Sequence, residues 1–362
     1  MDIFRLALQP ASDGDALILT WGSNTAPQHA LIDLGRTKDY KALKPLLQDI
    51  AQFELFAMTH IDADHIEGVV PMFKETPLPF SAGNVWFNAY AQLEAANERL
   101  PDDLRVTLGA AQAEKVTEGI IKSKWPWNGP FKSRIVSVDS PEAKNGAIAL
   151  AGGLSLTLLS PTDKKLATLK PKWEEELKDA KLRTTDSVLV AEALARDRVH
   201  LGPINVEALA GKAFVEDASE PNGASIAFVA EFSGKCVLLT GDSHPGVIEA
   251  SLRKRGFSEN KRLKLNCVKV AHHGSKANTS PSLLKIIDCT TFAFSTNGSR
   301  HDHPDAETIA RILVADPKRT KTLIFNFRQD HTTMWDNTTL MKKWKYACVF
   351  PPEGSEGIEF DI

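Results

Sequence analysis

The most informative stretch of the chain is Thr59-His60-Ile61-Asp62-Ala63-Asp64-His65-Ile66-Glu67-Gly68, which places two histidines and two aspartates within six residues. The apolar run before this stretch, residues 53–58, has the length and aromatic character of a strand, and the residues from Ile66 onward can begin a helix. The side chains are therefore expected in a loop at the carboxyl end of a strand, where α/β proteins usually hold their ligands. Such a cluster predicts a metal site.

The composition is that of an ordinary globular chain. Its 362 residues are 43% hydrophobic and 25% charged, which supplies apolar surface for a core and argues against extensive disorder. The net charge of −3 gives no overall attraction to nucleic acid or anionic membranes, so any polyanion-binding surface must be local. The four cysteines are widely spaced and include no Cys-x-x-Cys pair, a pattern that predicts neither a zinc knuckle nor a disulfide framework.

The predicted organisation is a single domain over residues 1–362, because α/β enzymes often reach this length with insertions. Insertions are expected at about 89–150 and 164–218. The first residues lack the pattern of a signal peptide, and no apolar run approaches membrane-spanning length. The sequence therefore predicts a cytoplasmic protein without a membrane partner.

Polar clusters follow several of the predicted strands. Strands are expected at 4–9, 16–21, 30–33, 53–58, 84–88, 134–138, 154–159, 224–231, 235–240, 267–271 and 291–295. A polar loop is predicted at 22–28, a helical stretch over about 89–124, a charged helix over 173–181 and a helix over 246–255. Three further clusters follow strands: Gly241-Asp242, His272-His273-Gly274-Ser275 and residues 301–305.

These residue types suit hydrolysis by a metal site. Cleavage of a phosphoester or an amide at neutral pH needs hydroxide, which one or two divalent ions supply by lowering the pKa of bound water. Histidine nitrogen and aspartate oxygen suit zinc, whereas a site richer in carboxylate tolerates manganese or magnesium better. The candidate ligands are Asp62, Asp64, Asp242, His60, His65 and one of His272 and His273.

The order of four motifs resembles that of the metallo-β-lactamase superfamily. These motifs are Asp33, the His-x-Asp-x-Asp-His of residues 60–65, Gly241-Asp242 and His272-His273-Gly274-Ser275. The resemblance covers most of the chain. It implies an α/β fold, a four-layer αββα sandwich, here with helical insertions, and metals at the strand ends between the two sheets.

Within the superfamily, the chain looks most like the soluble nuclease domain of the ComEC DNA-uptake protein and its freestanding relatives. The shared motifs are Gly14-Asp15-Ala16, Leu31-Ile32-Asp33-Leu34-Gly35, Asn222 to Ser225, Leu238 to Asp242, His272 to Ser275 and His303-Pro304. Asp62 stands where most of the superfamily has histidine, which is usual in the ComEC-like branch and argues against a β-lactamase. A third-motif histidine is missing, because His200, the one histidine between Leu159 and Gly241, lacks the family's context.

The resemblance implies a role for each of these residues. His60 and Asp62 would bind one metal, and Asp242 would bridge it to a second. The second metal would take Asp64, His65 and His273, while His272 would contact substrate or exchange roles with His273. His303 would bind phosphate or protonate the leaving group, and Asp33 would orient the metal-binding loop from behind. Ser275 and Asn297 would contact substrate, and the groups taking part in catalysis would be Asp64, His272 and His303.

The function implied is that of a metal-dependent phosphodiesterase acting on DNA or RNA, with zinc or manganese, or magnesium, as cofactor and His303 assisting attack by metal-bound hydroxide. Freestanding relatives sometimes accompany phage-defence genes, which extends the hypothesis to a nuclease effector. One alternative is a hydrolase of small phosphoesters of the cyclic-nucleotide or phosphocholine type. Another is a subunit that acts mainly by binding a protein partner through the 164–218 insertion.

A basic stretch precedes the His272-His273 motif. Its members are Arg253, Lys254, Arg255, Lys261, Arg262, Lys264 and Lys269. It is interpreted either as a track for a nucleic-acid backbone or as a solvated helix end and loop.

Overall fold

The structure, a computed structural model, describes residues 2–101, 115–173 and 204–362. The strands are β1 (Asp2–Leu8), β2 (Leu17–Ser23), β3 (Ala26–Ile32), β4 (Gln52–Phe53), β5 (Leu55–Ala57), β6 (Ser81–Ala82), β7 (Val85–Trp86), β8 (Ile148–Ala149), β9 (Ser155–Ser160), β10 (Ala227–Phe232), β11 (Lys235–Leu239), β12 (Leu263–Lys264), β13 (Cys267–Lys269), β14 (Ile287–Asp288), β15 (Thr291–Phe294), β16 (Lys321–Phe325), β17 (Tyr346–Val349) and β18 (Ile358–Asp361).

The α-helices are α1 (Thr37–Ile50), α2 (Ala63–Ile66), α3 (Val69–Met72), α4 (Tyr90–Glu98), α5 (Lys115–Ser123), α6 (Pro141–Asn145), α7 (Asp163–Leu169), α8 (Val206–Ala210), α9 (Glu220–Gly223), α10 (Pro245–Lys254), α11 (Pro281–Ile286), α12 (Ala306–Ala315), α13 (Asp330–Thr333) and α14 (Thr338–Trp344). Short 3-10 turns occupy Ala151–Gly153, Lys170–Lys172 and His272–Gly274.

Two large sheets hold most of the strands. The first has the order β18-β1-β2-β3-β5-β7 and the second has the order β17-β16-β15-β13-β11-β10-β9-β8. Strands β3, β5 and β7 are parallel, as are β11, β13, β15, β16 and β17. Parallel neighbours bring their carboxyl ends to one edge of their sheet, so the loops after β11, β13 and β15 are neighbours in space.

The alternation of side chains along the strands builds four layers. Phe4, Leu6 and Leu8 of β1 point to one face and pack with Phe228 and Ala230 of β10, which makes the core between the two sheets. The residues between them in sequence point to the outer faces. On the outer face of the first sheet they pack with helices α1, α3, α4 and α5. On the outer face of the second sheet they pack with α10, α11 and α12. The predicted αββα sandwich with helical insertions is confirmed.

Several predictions of individual elements are wrong. Residues 22–28 are not a loop, since β2 and β3 continue through them as a hairpin that pairs Ser23 with Ala26. Residues 134–138 are not a strand, and the predicted strand 84–88 is reduced to Val85–Trp86. Helix α1 and strands β16 to β18 were not predicted. Most of the predicted helix 173–181 lies outside the described residues, as does part of the helical stretch 89–124.

Among the residues described, we find no helix with the length and apolar character needed to cross a membrane.

Candidate metal centre

The candidate ligands come from the carboxyl ends of three strands. His60 and Asp62 lie in the loop after β5, and helix α2 begins within the motif at Ala63, so Asp64 and His65 lie on its first turn. Asp242 follows β11. His272 and His273 follow β13 and both have positive φ values, 48° and 54°. This left-handed pair is uncommon for residues other than glycine and turns both rings toward the same centre.

One carboxylate oxygen lies at the middle of the cluster. Asp242 Oδ2 is 3.4 Å from the Nε2 atom of His65 and 3.7 Å from that of His273. The Nε2 atoms of His272 and His60 are 3.8 Å and 3.9 Å from it. The structure therefore brings both His272 and His273 to the centre.

Two further carboxylates flank this group. Asp62 Oδ2 is 3.5 Å from His60 Nε2, and Asp64 Oδ2 is 3.3 Å from His273 Nε2 and 3.7 Å from His65 Nε2. Asp62 therefore lies beside His60, and Asp64 lies beside His65 and His273. The assignment of these residues to two separate ions stays a prediction.

Hydrogen bonds behind the first two rings determine which nitrogen faces the centre. Asp33 Oδ2 lies 2.8 Å from His65 Nδ1, so this nitrogen carries the proton that the carboxylate accepts. Thr59 Oγ1 donates to Asp33 Oδ2 at 2.7 Å and must therefore accept from His60 Nδ1 at 3.0 Å. Thr59 N also donates to Asp33 at 2.7 Å. Asp33 thus orients the His65 ring directly and the His60 ring through Thr59.

The other two rings are oriented in the same way. His273 Nδ1 lies 2.8 Å from the carbonyl oxygen of Ser295, which can only accept. His272 Nδ1 lies 2.9 Å from Asn278 Oδ1. All four histidines therefore hold a proton on Nδ1 against an acceptor and present Nε2 to Asp242, which is the usual arrangement behind metal-binding histidines.

The donor set fits divalent metal ions. Within the described part of the chain, buried atoms without a hydrogen-bond partner include Nε2 of His60, His65 and His273 and Oδ1 of Asp242. Burying such atoms unpaired is costly, so a cluster of them pointing at one spot indicates a ligand. Potential ligand atoms of His60, His65 and Asp242 lie within 4.8 Å of one another, as do those of Asp64, His65 and His273. Nitrogen and carboxylate oxygen suit zinc or manganese.

The carboxylates raise the pKa values of the histidines when no metal is bound. Burial alone would lower the pKa of His272, but Asp242 and Asp217 outweigh burial and raise that pKa to about 9. Burial would also lower the pKa of His65, but the charges of Asp242 and Asp33 outweigh burial and raise that pKa well above its ordinary value. At pH 7 the His272 ring is therefore protonated in the metal-free protein.

Metal uptake is expected to release protons at pH 7. A cation must displace the proton on Nε2, so its affinity should rise with pH up to about 9, the pKa of His272. The same raised pKa stabilises the metal-free fold most fully below the unfolded value of about 6.5, and this contribution is lost as pH rises through about 9. Titration calorimetry in two buffers of different ionisation enthalpy measures the released protons. Identical heats in both buffers would contradict the prediction.

The Gly-Asp-Ala motif needs glycine at residue 14 because a side chain there would collide with Asp64. A Cβ atom there would lie 1.8 Å from the carbonyl oxygen of Asp64 and 2.9 Å from the Asp64 Cβ. The substitution Gly14→Ala should displace Asp64, weaken metal binding at least about tenfold and lower the free energy of unfolding by about 1–3 kcal/mol. Gly211→Ala is the matched control, because its nearest atom would be Glu207 O at 3.2 Å. Metal competition and urea unfolding measure both effects, and wild-type values for Gly14→Ala would show that the loop can move aside.

The remaining predicted site residues have different positions. The His303 ring lies against the His272 ring, with centroids 5.4 Å apart, and its Nδ1 is 3.5 Å from Asp305 Oδ2. Burial, reinforced by the charge of His272, lowers the pKa of His303 well below its ordinary value. The side chains of Ser275 and Asn297 accept hydrogen bonds from the backbone two residues on, as residues that shape turns do.

Other residues of the site were not predicted from the sequence. Ser225 Oγ accepts from the backbone N–H of Asp242 at 3.1 Å, which assigns a structural role to the last residue of the Asn-x-x-Ser motif. Asp217 and Asn278 contact His272 from the side away from Asp242. Their sequence context gives no signal, since a single Asp and a single Asn in loops are common. His200, considered for the missing third motif, lies outside the described residues.

Most of the basic stretch lies away from the centre. Helix α10 begins beside Asp242 and runs away from it, and β13 runs back toward His272, so the residues between them lie near the opposite edge of the sheet. Arg255 and Arg262 donate hydrogen bonds to backbone carbonyls. Lys269 is fully buried and paired with Asp15, so it is not available to a nucleic-acid backbone.

The chain matches no protein family model and no curated protein. The metallo-β-lactamase fold protein YhfI from Bacillus subtilis is similar over 100% of both chains, at 10% identity and a TM-score of 0.40. Zn²⁺-bound PqqB from Methylobacterium extorquens is similar over 99% of this chain and 100% of its own, at 10% identity and a TM-score of 0.40. A Cronobacter sakazakii metallo-β-lactamase with an HARLDQ motif is similar over 66% of this chain and 61% of its own, at 14% identity and a TM-score of 0.27.

Similarity this distant carries no argument about substrate or mechanism. The chain's own sheets, helical layers and strand-end ligands establish the architecture. The architecture is the four-layer αββα sandwich that the sequence resemblance implied.

Proposed function

We propose that this chain is a metal-dependent hydrolase, and specifically a phosphodiesterase that cleaves DNA or RNA. The observation that carries the proposal is the position of Asp242 Oδ2, between 3.4 and 3.9 Å from the Nε2 atoms of four histidines and shared by two donor sets. Paired ions held about 4 Å apart are typical of phosphatases and nucleases, in which they clamp the attacking and leaving oxygens of one phosphate.

The carboxylates support a phosphodiester substrate. Asp62 and Asp64 make the donor set richer in oxygen, and Asp62 occupies the position that separates the ComEC-like branch from β-lactamases. When bound, the ions would lower the pKa of water and neutralise charge on the phosphate. The chain itself keeps the four rings fixed through acceptors on Nδ1, so the donors need little rearrangement during the reaction.

His303 is assigned to binding the phosphate rather than to protonating the leaving group. Its pKa is lowered well below the ordinary value by burial and by His272, which favours the neutral ring. A neutral imidazole still donates one N–H, which suits a phosphoryl oxygen. The ring lies 5.4 Å from that of His272, at the rim of the metal centre.

The proposal is tested with plasmid DNA, single-stranded DNA, RNA and bis(p-nitrophenyl) phosphate, with manganese or zinc added. We expect cleavage of a nucleic acid that is lost in Asp64→Ala and His65→Ala and retained in His29→Ala, whose ring instead lies 3.0 Å from Thr20 Oγ1 on the adjacent strand. Hydrolysis of the small ester alone would favour a small-phosphoester hydrolase. Absence of both metal and hydrolysis would leave a role in binding a protein partner.

A further inference from the structure

Residues at the two ends of the second insertion, 164–218, contact one buried histidine, His244. His244 Nδ1 lies 2.8 Å from Nζ of Lys165, at the start of the insertion, and must accept from it. His244 Nε2 then donates to the carbonyl oxygen of Ser219, directly after the insertion, at 2.9 Å. Glu216 Oε1 accepts from the backbone N–H of Gly246 at 2.7 Å. The loop that carries Asp217 is therefore fixed to the chain on both sides of that residue.

Asp217 is the insertion's contribution to the metal centre. Its Oδ2 accepts from Asn222 Nδ2 at 2.6 Å and from Asn278 Nδ2 at 3.0 Å, and its Oδ1 accepts from Ser219 N at 2.9 Å. The same Oδ2 lies 3.6 Å from His272 Nδ1. A carboxylate only accepts, so it fixes the orientation of both amides that point at it.

Asn278 transmits this orientation to His272. One hydrogen of Asn278 Nδ2 goes to Asp217, and the other goes to the carbonyl oxygen of Asp242 at 3.0 Å. Asn278 is 1% exposed, and its remaining polar atom, Oδ1, faces His272 Nδ1 at 2.9 Å. Since both donors are used, Oδ1 must accept from His272. Asn222 Nδ2 and His272 Nδ1, which are 3.3 Å apart, are then both donors, so they are in contact without a hydrogen bond between them.

We propose that Asp217 is a positioning residue that acts through Asn278 to hold His272 with Nδ1 protonated and Nε2 directed at the metal centre. His272 would then supply one nitrogen to one of the two ions at Asp242, whose Oδ2 lies 3.8 Å from His272 Nε2. The inference rests on the proposed metal centre, but it does not depend on which ester is cleaved.

The test measures metal affinity in the full chain. The dissociation constants of two zinc ions are determined by competition with a chromophoric chelator for wild type, Asp217→Ala, Asn278→Ala and Glu207→Gln. We expect both alanine variants to weaken one ion about 10- to 100-fold and to leave the other unchanged. Glu207→Gln changes an exposed carboxylate of the same insertion that contacts Lys343, so it should match the wild type.

Two further measurements separate positioning from loss of structure. The exchange variant D217N/N278D swaps carboxylate and amide, so an acceptor still faces His272 Nδ1, and it should regain part of the lost affinity. Long-range ¹⁵N spectra of the zinc-loaded wild type should show His272 protonated on Nδ1, and Asp217→Ala should lose this state.

Weakening of both ions equally, or of neither, would overturn the proposal, as would a wild type whose His272 binds no metal. A protein that binds two ions as expected but cleaves no phosphodiester would instead overturn the proposed function alone.

Discussion

Replacement of Asp242 by asparagine should remove both metal ions and lower hydrolysis about a thousandfold or more. Asp242 Oδ2 lies within 4 Å of the Nε2 atoms of His60, His65, His272 and His273, so both donor sets depend on its charge. Bound metal typically supplies several kcal/mol of transition-state stabilisation, and about 4 kcal/mol corresponds to a factor of about a thousand. Asparagine has nearly the same shape and keeps the backbone N–H that donates to Ser225 Oγ.

Metal content by elemental analysis and kcat/KM on the best substrate measure the two effects together. Asp49→Asn, on the exposed face of α1, is the matched control and should retain wild-type metal content and activity. An Asp242→Asn protein that still holds two ions would show that Asp242 does not bridge them. Full activity after loss of the ions would overturn a metal-dependent mechanism.

The loops that hold the metal centre could be predicted from the sequence because each motif directly follows a short apolar run. A run such as 53–58 ends where the polar cluster begins, so the position of His60 beyond β5 follows from local sequence. The hairpin turn at Ser233-Gly234 fixes the pairing of β10 with β11 and therefore places Asp242 beyond β11. The prediction of ligands at strand ends depends only on such local signals.

The edges of the sheets could not be predicted in this way. Strand β18 closes the first sheet by pairing Asp361 with Arg5, a contact between opposite ends of the chain. Residues 134–138 show an apolar pattern typical of a strand. The backbone of Val136, however, pairs with the side chain of Asn88, whose Nδ2 donates to the Val136 carbonyl oxygen and whose Oδ1 accepts from the Val136 N–H. A side-chain amide here replaces a neighbouring strand, and no periodicity reveals that.

Helix α1 could have been predicted. Tyr40, Leu43 and Leu47 recur at helical spacing and are all buried on one face. Pro45 is a residue that breaks most helix interiors, and its presence obscures this signal. Asp217 is a different case, because only the folded chain brings the end of the second insertion to His272.

Replacement of Lys269 by methionine should lower the free energy of unfolding by about 3–5 kcal/mol, the usual cost of leaving one charge of a buried pair uncompensated. Lys269 Nζ donates to Asp15 Oδ2, and the two side chains are 0% and 1% exposed. Asp15 has no second cation in contact among the described residues, since its nearest ring nitrogen, His273 Nδ1 at 3.7 Å, is engaged with Ser295 O. Methionine fills nearly the same volume, so the loss reports the charge rather than a cavity.

Urea unfolding in the presence of a chelator measures this effect without a contribution from bound metal. Lys264→Met, at an exposed position of the same basic stretch, should change stability by no more than about 0.5 kcal/mol. The double variant D15N/K269M, which removes both charges, should recover most of the lost stability, because neutralising a buried pair is often close to neutral in free energy. Equal destabilisation by the single and double variants would show that packing of the lysine stem, rather than the charge of Asp15, makes Lys269 necessary. Recovery in the double variant would instead show that the charge of Lys269 is needed to compensate that of Asp15.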